Sequence, residues 1–185
     1  MQVFETPLID LLVVEPKVFG DARGFFYETY SKERYQALGI NCEFVQDNVS
    51  RSSYGVLRGL HYQLKHSQAK LVSVTRGKVF DVAVDIRRGS PTFGQWYGIE
   101  LSDENHKQLF IPAGFAHGFS VLSETADFCY KCSDYYHPED EFGVAWNDPD
   151  LALNWQLEQP RLSNKDQLYS ALKAIPEANL PVYKK

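Results

Sequence analysis

Residues 79–86 alternate between apolar side chains and small or acidic ones. The apolar positions are Phe80, Val82, Val84 and Ile86, and Asp81, Ala83 and Asp85 lie between them. Because successive side chains of a β-strand point to opposite faces, this pattern predicts a half-buried strand. Further short strand-like runs, separated by turn residues, occupy 11–14, 24–30, 43–50, 70–75, 96–101, 108–111, 118–122 and 127–132. Many short strands at regular spacing favour a β-barrel or β-sandwich.

Helical signals occur only at the margins of this pattern. Ser31 can cap a short helix that runs to Leu38 and ends at Gly39. Ser163 followed by Asp166 resembles a capping box, which predicts a helical tail at about 163–185. Since the chain shows no repeat, low-complexity tract or linker, we expect a single domain over residues 1–185.

Charge and cysteine content exclude several classes of protein. A net charge of −5 and a pI of about 5.5 give no basic field that would attract nucleic acid. No apolar run reaches the length of a transmembrane helix, and the N-terminus lacks the layout of a signal peptide. Three cysteines cannot form a complete set of disulfides. We therefore expect a cytoplasmic protein with reduced thiols and no membrane or nucleic-acid partner.

Two spaced motifs in the middle of the chain resemble those of the cupin family. The spacing from Gly55 to His61, and from Lys70 to Gly77, matches the first cupin motif. The segment Pro112-x-Gly114-x-x-His117 matches the heart of the second motif. The resemblance implies a mainly β fold, a cupin-type double-stranded β-helix or jelly-roll barrel with short marginal helices.

The residues that hold a metal ion in cupins are altered in this sequence. Gln63 stands where the second histidine of the first motif is expected, and Lys70 replaces the carboxylate. A lysine ammonium group repels a divalent cation, and His61 and His117 alone are too few for a transition-metal site. We therefore expect no catalytic metal.

A cation at that position suits a different reaction. Removal of a proton from a carbon beside a ketone produces an enolate, whose oxygen carries the new charge. A preorganised ammonium group such as that of Lys70 stabilises this charge in a dry pocket. Imidazole exchanges protons near neutral pH, so His61 is a candidate general base.

Taken together, the motifs of the chain resemble the dTDP-4-dehydrorhamnose 3,5-epimerases of rhamnose biosynthesis. The matching segments are Asp21-x-Arg23-Gly24-x-Phe26-x-Glu28, Gln46-Asp47-Asn48-x-Ser50, Gly55-Val56-Leu57-Arg58-Gly59-Leu60-His61-x-Gln63, Asp81-Val82-x-Val84-Asp85-x-Arg87, Ser90-Pro91-Thr92-Phe93-Gly94, Ile111-Pro112-x-Gly114-Phe115-Ala116-His117-Gly118-Phe119 and Trp146-Asn147-Asp148-Pro149. The resemblance covers nearly the whole chain. Departures occur in the loop 65–69 and at Gln156, which replaces a proline common in the family.

The resemblance implies a reaction that inverts C3 and C5 of a 4-keto-6-deoxy sugar linked to dTDP. In this reaction His61 would remove the protons and Asp166 would orient its imidazole. Tyr130 would return a proton from the opposite face, and Lys70 would face the enolate oxygen. No cofactor is implied, because the reaction involves no net oxidation or reduction.

The resemblance also implies a set of substrate-binding residues and a homodimer. The substrate-binding positions are Arg23, Glu28, Gln46, Asn48, Arg58, Lys70, His117, Glu141 and Lys165. Tyr135 or Tyr136 could stack on the thymine. N-terminal strands cross to the partner subunit in this family, so Arg23 and Glu28 would serve the neighbouring site.

Each residue also has a simpler structural interpretation. His117 could bond a turn, Tyr130 could be a core residue, and Asp166 could act only as a cap. We expect His66, His106 and His137 at the surface, because they lie in polar stretches. Alternative functions are a single-carbon epimerase acting on another dTDP-keto-deoxysugar, a metal-dependent cupin dioxygenase and a non-catalytic sugar-binding module.

Overall fold

The computed structural model describes residues 1–184 and is dominated by antiparallel strands. The strands are β1 Gln2–Glu5, β2 Leu12–Glu15, β3 Val18–Asp21, β4 Gly24–Tyr27, β5 Gln46–Ser53, β6 Leu57–Gln63, β7 Lys70–Arg76, β8 Lys78–Asp85, β9 Trp96–Ser102, β10 Gln108–Ile111, β11 Phe115–Val121, β12 Thr125–Cys132 and β13 Glu141–Gly143. One α-helix, α1, spans Lys32–Ala37. Short 3-10 helices occupy Pro138–Asp140, Leu172–Ala174 and Glu177–Asn179.

The strands form two large sheets and one separate hairpin. The first sheet has the order β1-β2-β10-β7-β12-β5, and the second has the order β13-β6-β11-β8-β9. A main apolar core joins the two sheets, with Val72 and Phe128 from the first sheet and Leu101 and Phe119 from the second. The predicted mainly β fold of the cupin type is confirmed. The helix predicted after Ser31 is present as α1, but the Ser31 side chain makes no capping hydrogen bond.

Strand β8 is buried on both faces, so the prediction of a half-buried strand was wrong. Its Phe80 face is covered by residues of the C-terminal segment, including Trp155 and Leu172. On the other face, Asp81 and Asp85 are fully buried and each is held by hydrogen bonds. Burial of paired carboxylates explains how acidic residues fit inside this fold.

The predicted C-terminal helix is replaced by turns and two 3-10 helices, so that prediction was also wrong. The capping interaction itself forms, because the Asp166 N–H donates to Ser163 Oγ at 3.1 Å. Leu168 is 82% exposed, whereas Asp166 is buried, so the segment lacks a continuous apolar face to bury as a helix. The segment instead lies as an irregular cover on the second sheet.

The hairpin β3–β4 pairs with neither large sheet. Its aromatic side chains are mostly exposed, with Phe25 at 63% and Phe26 at 69%. Exposed large apolar side chains grouped on one hairpin are typical of interaction surfaces. In the part of the chain described, none of the helices has the length and apolar character required to cross a membrane.

Candidate active site

A cavity of about 380 Å³ is bordered by strands from both sheets. Most of the residues that the sequence predicted for the site line this cavity. They are His61, Lys70, Tyr130, Gln46, Asn48, Arg58, His117, Glu141 and Lys165. The structure therefore brings together side chains that are as much as 119 positions apart in the sequence, from Gln46 to Lys165.

Two glycines bring β6 and β11 close together at the cavity wall. A Cβ atom on Gly59 would lie 2.6 Å from the Cα of Gly118, and Gly59 has a φ of +129°. A larger residue therefore fits at neither Gly59 nor Gly118 without displacement of the backbone. The close approach places His61 directly opposite His117 in the antiparallel ladder.

His61 is oriented by a buried carboxylate. The distance from His61 Nε2 to Asp166 Oδ1 is 2.6 Å, and Asp166 has only 4% of its side chain exposed. Burial raises the pKa of Asp166, but its hydrogen bonds to His61, Gly59 and Ser163 outweigh burial and hold the pKa below its usual value. Asp166 is thus an anionic acceptor for Nε2–H, which leaves Nδ1 of His61 as the basic nitrogen.

Nδ1 of His61 faces a second carboxylate at longer range. Glu141 Oε1 lies 3.9 Å from this nitrogen. Glu141 Oε2 accepts hydrogen bonds from Lys165 Nζ and from the Tyr136 hydroxyl group, both at 2.8 Å. Burial raises the pKa of Glu141, but hydrogen bonds from Lys165 and Tyr136 outweigh burial and hold the pKa below its usual value. The ionised Glu141 therefore places a second negative charge near the imidazole of His61.

Tyr130 enters the cavity from the opposite sheet. It lies on β12 in the first sheet, whereas His61 lies on β6 in the second. Burial raises the pKa of the Tyr130 hydroxyl group, and this effect exceeds the opposing influence of Arg58. Tyr130 therefore keeps its proton at neutral pH and can act as a proton donor.

Lys70 borders the cavity on β7, next to β12. Burial lowers the pKa of its ammonium group, and Cys132, Glu141 and Asp81 oppose this shift only in part. A partly buried cation at the cavity wall can stabilise negative charge that develops on a ligand.

His117 is held by a carboxylate of its own. Its Nε2 lies 2.9 Å from Oδ2 of the fully buried Asp81. Burial lowers the pKa of His117, although Asp81 opposes this shift. The ring is thus a fixed polar group on the cavity wall, and the turn-bonding interpretation does not describe its contacts.

The donor set at the cupin metal position does not fit a metal ion. Gln63 uses its amide group for the adjacent loop, since Nε2 donates to the carbonyl oxygens of His66 and Tyr135 and Oε1 accepts from the N–H of His137. The carboxylate position holds the cationic Lys70. Two imidazoles beside an ammonium group lack the anionic ligand that a divalent ion requires.

Polar side chains line another part of the cavity. Gln46 Nε2 donates to Asn48 Oδ1 at 3.1 Å, and Gln46 Oε1 accepts from the Tyr136 N–H at 3.0 Å. Arg58 Nε donates to Ser52 Oγ at 3.1 Å, and within residues 1–184 its two terminal nitrogens make no hydrogen bond. A guanidinium group in this position can make forked hydrogen bonds to phosphate oxygens.

Arg23 and Glu28 lie outside the cavity of their own chain. Arg23 sits in the exposed β3–β4 hairpin and pairs with Asp21. Glu28 pairs with Arg34 at 3.3 Å. The expectation that these two residues serve a neighbouring subunit stays a prediction.

Some residues of the site were missed or left open by sequence reasoning. Tyr169 packs edge-on against His61, with ring centroids 5.9 Å apart, and its ring fills the space beside Gly143. Tyr136 borders the cavity, whereas Tyr135 is 59% exposed and does not. The only signal for Tyr169 was its position three residues after Asp166, in a segment that was wrongly predicted to be helical.

Comparison with known proteins gives a consistent result. A family model described as dTDP-4-dehydrorhamnose 3,5-epimerase matches residues 5–174. The dTDP-4-dehydrorhamnose 3,5-epimerase of Pseudomonas aeruginosa is 56% identical over 169 residues, which cover 90% of this chain and 93% of that protein.

Two solved structures are also similar to this chain. One is a dTDP-6-deoxy-D-glucose-3,5-epimerase from Legionella pneumophila in complex with dTDP-4-keto-L-rhamnose, with a TM-score of 0.97, 57% identity and coverage of 100% of this chain and 99% of that one. The other is a 3'-monoepimerase from Streptomyces bikiniensis in complex with dTDP-quinovose, with a TM-score of 0.90, 35% identity and coverage of 96% and 92%. The family match and these identities agree with the motifs and with the cavity that they form. The chain therefore belongs to the dTDP-4-dehydrorhamnose 3,5-epimerase family.

Proposed function

We propose that this protein converts dTDP-4-dehydro-6-deoxy-D-glucose to dTDP-4-dehydro-L-rhamnose by inverting C3 and C5. Membership of the family supports this activity, as does the 57% identity to an epimerase solved with dTDP-4-keto-L-rhamnose. The observation that carries the mechanism is the placement of His61 and Tyr130 on opposite sheets around one cavity.

His61 is the general base. Its Nδ1 takes a proton from the carbon beside the C4 ketone, and the electron pair of the broken C–H bond forms the enolate. Asp166 stabilises the resulting imidazolium through Nε2–H, at a distance of 2.6 Å, and Glu141 adds a second negative charge 3.9 Å from Nδ1. General-base catalysis of this kind typically contributes about 10²–10⁴-fold to the rate.

Lys70 stabilises the enolate oxygen. The ammonium group borders the cavity and its pKa is lowered by burial, so its charge is poorly solvated by water. A cation with reduced solvation acts more strongly on an oxyanion that forms beside it than a fully solvated one does.

Tyr130 donates the proton that completes inversion at C5. The hydroxyl proton moves to the carbon on the face opposite His61, and the enolate electron pair forms the new C–H bond. The resulting phenolate recovers a proton from solvent, and His61 releases its own. Because one base and one acid act on opposite faces, the configuration is inverted instead of restored.

The remaining polar residues position the substrate. Arg58 holds the diphosphate through its free guanidinium nitrogens. Tyr136 stacks on the thymine, because it borders the cavity whereas Tyr135 does not. Gln46, Asn48, His117, Glu141 and Lys165 supply the other polar contacts to the sugar and nucleotide.

The working form is a homodimer in the cytoplasm. The exposed aromatic hairpin β3–β4 supports this proposal, because Phe25 and Phe26 lack a covering surface within residues 1–184. In the dimer, Arg23 and Glu28 would reach the partner's cavity. The reaction has no net redox change, so it requires no nicotinamide, and the cationic Lys70 replaces the metal of other cupins.

The test is turnover of dTDP-4-dehydro-6-deoxy-D-glucose in D₂O, followed by NMR. Incorporation of solvent deuterium at both C3 and C5, with inversion at both, is the expected result. Deuterium and inversion at one carbon alone would instead assign a single-carbon epimerase, the activity of the related 3'-monoepimerase. Dependence of turnover on bound iron would assign a cupin dioxygenase, and no turnover of any dTDP-keto sugar would favour a binding module.

A further inference from the structure

A second group of histidines lies beside the active-site cavity but does not border it. His66 follows β6, and Asp134 and His137 follow β12. One potential ligand atom from each of these three residues lies within 4.8 Å of the others. This is the one group of three such side chains found in residues 1–184, and all three are partly buried.

The two imidazole rings are stacked face to face. Their centroids are 3.7 Å apart and their planes differ by 14°. His66 Nδ1 lies 3.5 Å from Asp134 Oδ2, and His137 Nδ1 lies 3.2 Å from Glu139 Oε1. Two neutral imidazoles and two carboxylates carry a total charge of −2, which matches a divalent cation.

The backbone that carries the histidines is fixed by buried polar groups. Asp140 Oδ2 accepts hydrogen bonds from the N–H groups of Lys65 and His66, at 2.8 and 2.7 Å. The buried Gln63 amide bonds the carbonyl oxygen of His66 and the N–H of His137, both at 2.7 Å. The Gln63 side chain therefore fixes the backbone of both histidines relative to each other. Such outer contacts are the kind that orient metal ligands.

We propose that His66, Asp134 and His137 form a binding site for a divalent transition-metal ion of the zinc class, with Glu139 or water as the fourth ligand. Imidazole nitrogens with a carboxylate oxygen suit zinc, whereas magnesium prefers an all-oxygen set. On binding, the ligand atoms, now within 4.8 Å of one another, draw together and the stacked rings turn so that their nitrogen lone pairs converge on the ion.

The ion joins two segments that are separate in the sequence. His66 belongs to the connection between β6 and β7, and the other two ligands belong to the connection between β12 and β13. Gln63 and Gln68 line the cavity and bond to these same segments, with Gln68 Nε2 donating to the Asp134 carbonyl oxygen at 2.8 Å. Binding therefore stabilises the folded protein at the edge of the active site, and it takes no part in proton transfer.

The proposal is tested with protein freed of metal by a chelator that is then removed. Titration with Zn²⁺, followed by calorimetry, should give one site per chain, and an excess of Mg²⁺ should not displace the ion. The double substitution His66→Ala and His137→Ala, and separately Asp134→Asn, should each weaken binding by more than about tenfold. Zn²⁺ should raise the Tm of the wild type but not of the double variant, because an ion that binds only the folded state stabilises it.

The matched control is His106→Asn, which removes a histidine that packs on Phe25 and Tyr27 instead. This variant should bind Zn²⁺ as the wild type does, and circular dichroism should show that every variant is folded. Equal binding by the wild type and the double variant would overturn the proposal. A thiolate charge-transfer band on binding of Co²⁺ would also overturn it, because the band would place the ion on a cysteine. Loss of metal binding in His61→Asn would overturn it as well, because it would place the ion in the active-site cavity.

Discussion

His61 and Tyr130 lie on strands of opposite sheets, β6 and β12, and border the same cavity. This arrangement allows one residue to remove a proton from one face of a sugar ring while the other supplies a proton to the opposite face. The sheets themselves therefore set the stereochemical course of the proposed reaction. Inversion requires no movement of the base from one face to the other.

The contact between His61 and Asp166 predicts that the carboxylate controls the tautomer of the imidazole. Asp166→Asn keeps the shape of the side chain, but its amide group can donate a proton to Nε2 and leave Nδ1 protonated. We expect kcat to fall by about 10²–10⁴-fold, with little change in KM. NMR assay of product formation measures this effect. An unchanged kcat would show that the 2.6 Å contact with His61 does not control the base, and that Asp166 serves only the turn in which its N–H bonds Ser163 Oγ.

Lys70 is expected to act on the transition state more than on binding. Lys70→Met removes the ammonium group and keeps much of the side-chain volume, so kcat should fall by about 10²–10³-fold. A smaller change in KM is expected, because the charge on the enolate oxygen exists only after proton removal. A large rise in KM at constant kcat would contradict this role and assign Lys70 to substrate binding alone.

The pH dependence of kcat should report Lys70 on its alkaline side. Burial lowers the pKa of Lys70 and raises that of Tyr130, so it favours loss of the lysine proton and opposes loss of the tyrosine proton as the pH rises. As the pH rises, activity should therefore begin to fall at a pH lower than the ordinary lysine pKa of about 10.4. Lys70→Arg keeps a cation at all accessible pH values and should move this decline to higher pH. The same alkaline profile in both proteins would exclude Lys70 as the titrating group.

Asp85 predicts a pH-dependent contribution to stability. Burial raises its pKa, but bonds from Arg87, Ser90 and Thr92 outweigh burial and hold the pKa below its usual value. The folded state thus favours the ionised form, and this stabilisation is present above about pH 4 and is lost as the pH falls through the folded-state pKa. Asp85→Asn should lower the free energy of unfolding at pH 7 by about 3–5 kcal/mol, because it breaks a buried ion pair.

Urea unfolding of the wild type and Asp85→Asn over a range of pH measures this contribution. The difference between the two proteins should shrink toward acidic pH. Lys173→Ala is the matched control, since the Lys173–Asp150 pair is exposed and screened by water, and its effect should be smaller at every pH. A difference that does not vary with pH would show that ionisation of Asp85 does not stabilise the fold.

The grouping of the central candidate residues around one cavity could be predicted from the sequence, because it depends on short-range spacing. Once β6 and β11 are strands, Gly59 and Gly118 allow the close approach that places His61 opposite His117. The replacement of cupin ligands by Gln63 and Lys70 could also be predicted by position alone. In both cases the position of the residue is determined within one motif or one pair of neighbouring strands.

Features that depend on packing against segments far away in the sequence could not be predicted in this way. Burial of both faces of β8 requires Trp155 and Leu172 to fold back over Phe80, and nothing in residues 79–86 encodes that cover. The contact of Tyr169 with His61 has the same origin, because the C-terminal segment folds as turns instead of a helix. Local propensity is overridden here by tertiary packing.

The most direct test of the mechanism follows deuterium at C5 in D₂O for the wild type, Tyr130→Phe and His61→Asn. The wild type should incorporate deuterium with inversion. Tyr130→Phe should still incorporate deuterium at C5, because His61 removes the proton, exchanges it with D₂O and returns a deuteron to the same face. This variant should give no product inverted at C5. His61→Asn should show neither deuterium exchange nor inversion at C5. Normal C5 inversion by Tyr130→Phe, or deuterium exchange by His61→Asn, would contradict the assignment of acid and base to opposite sheets.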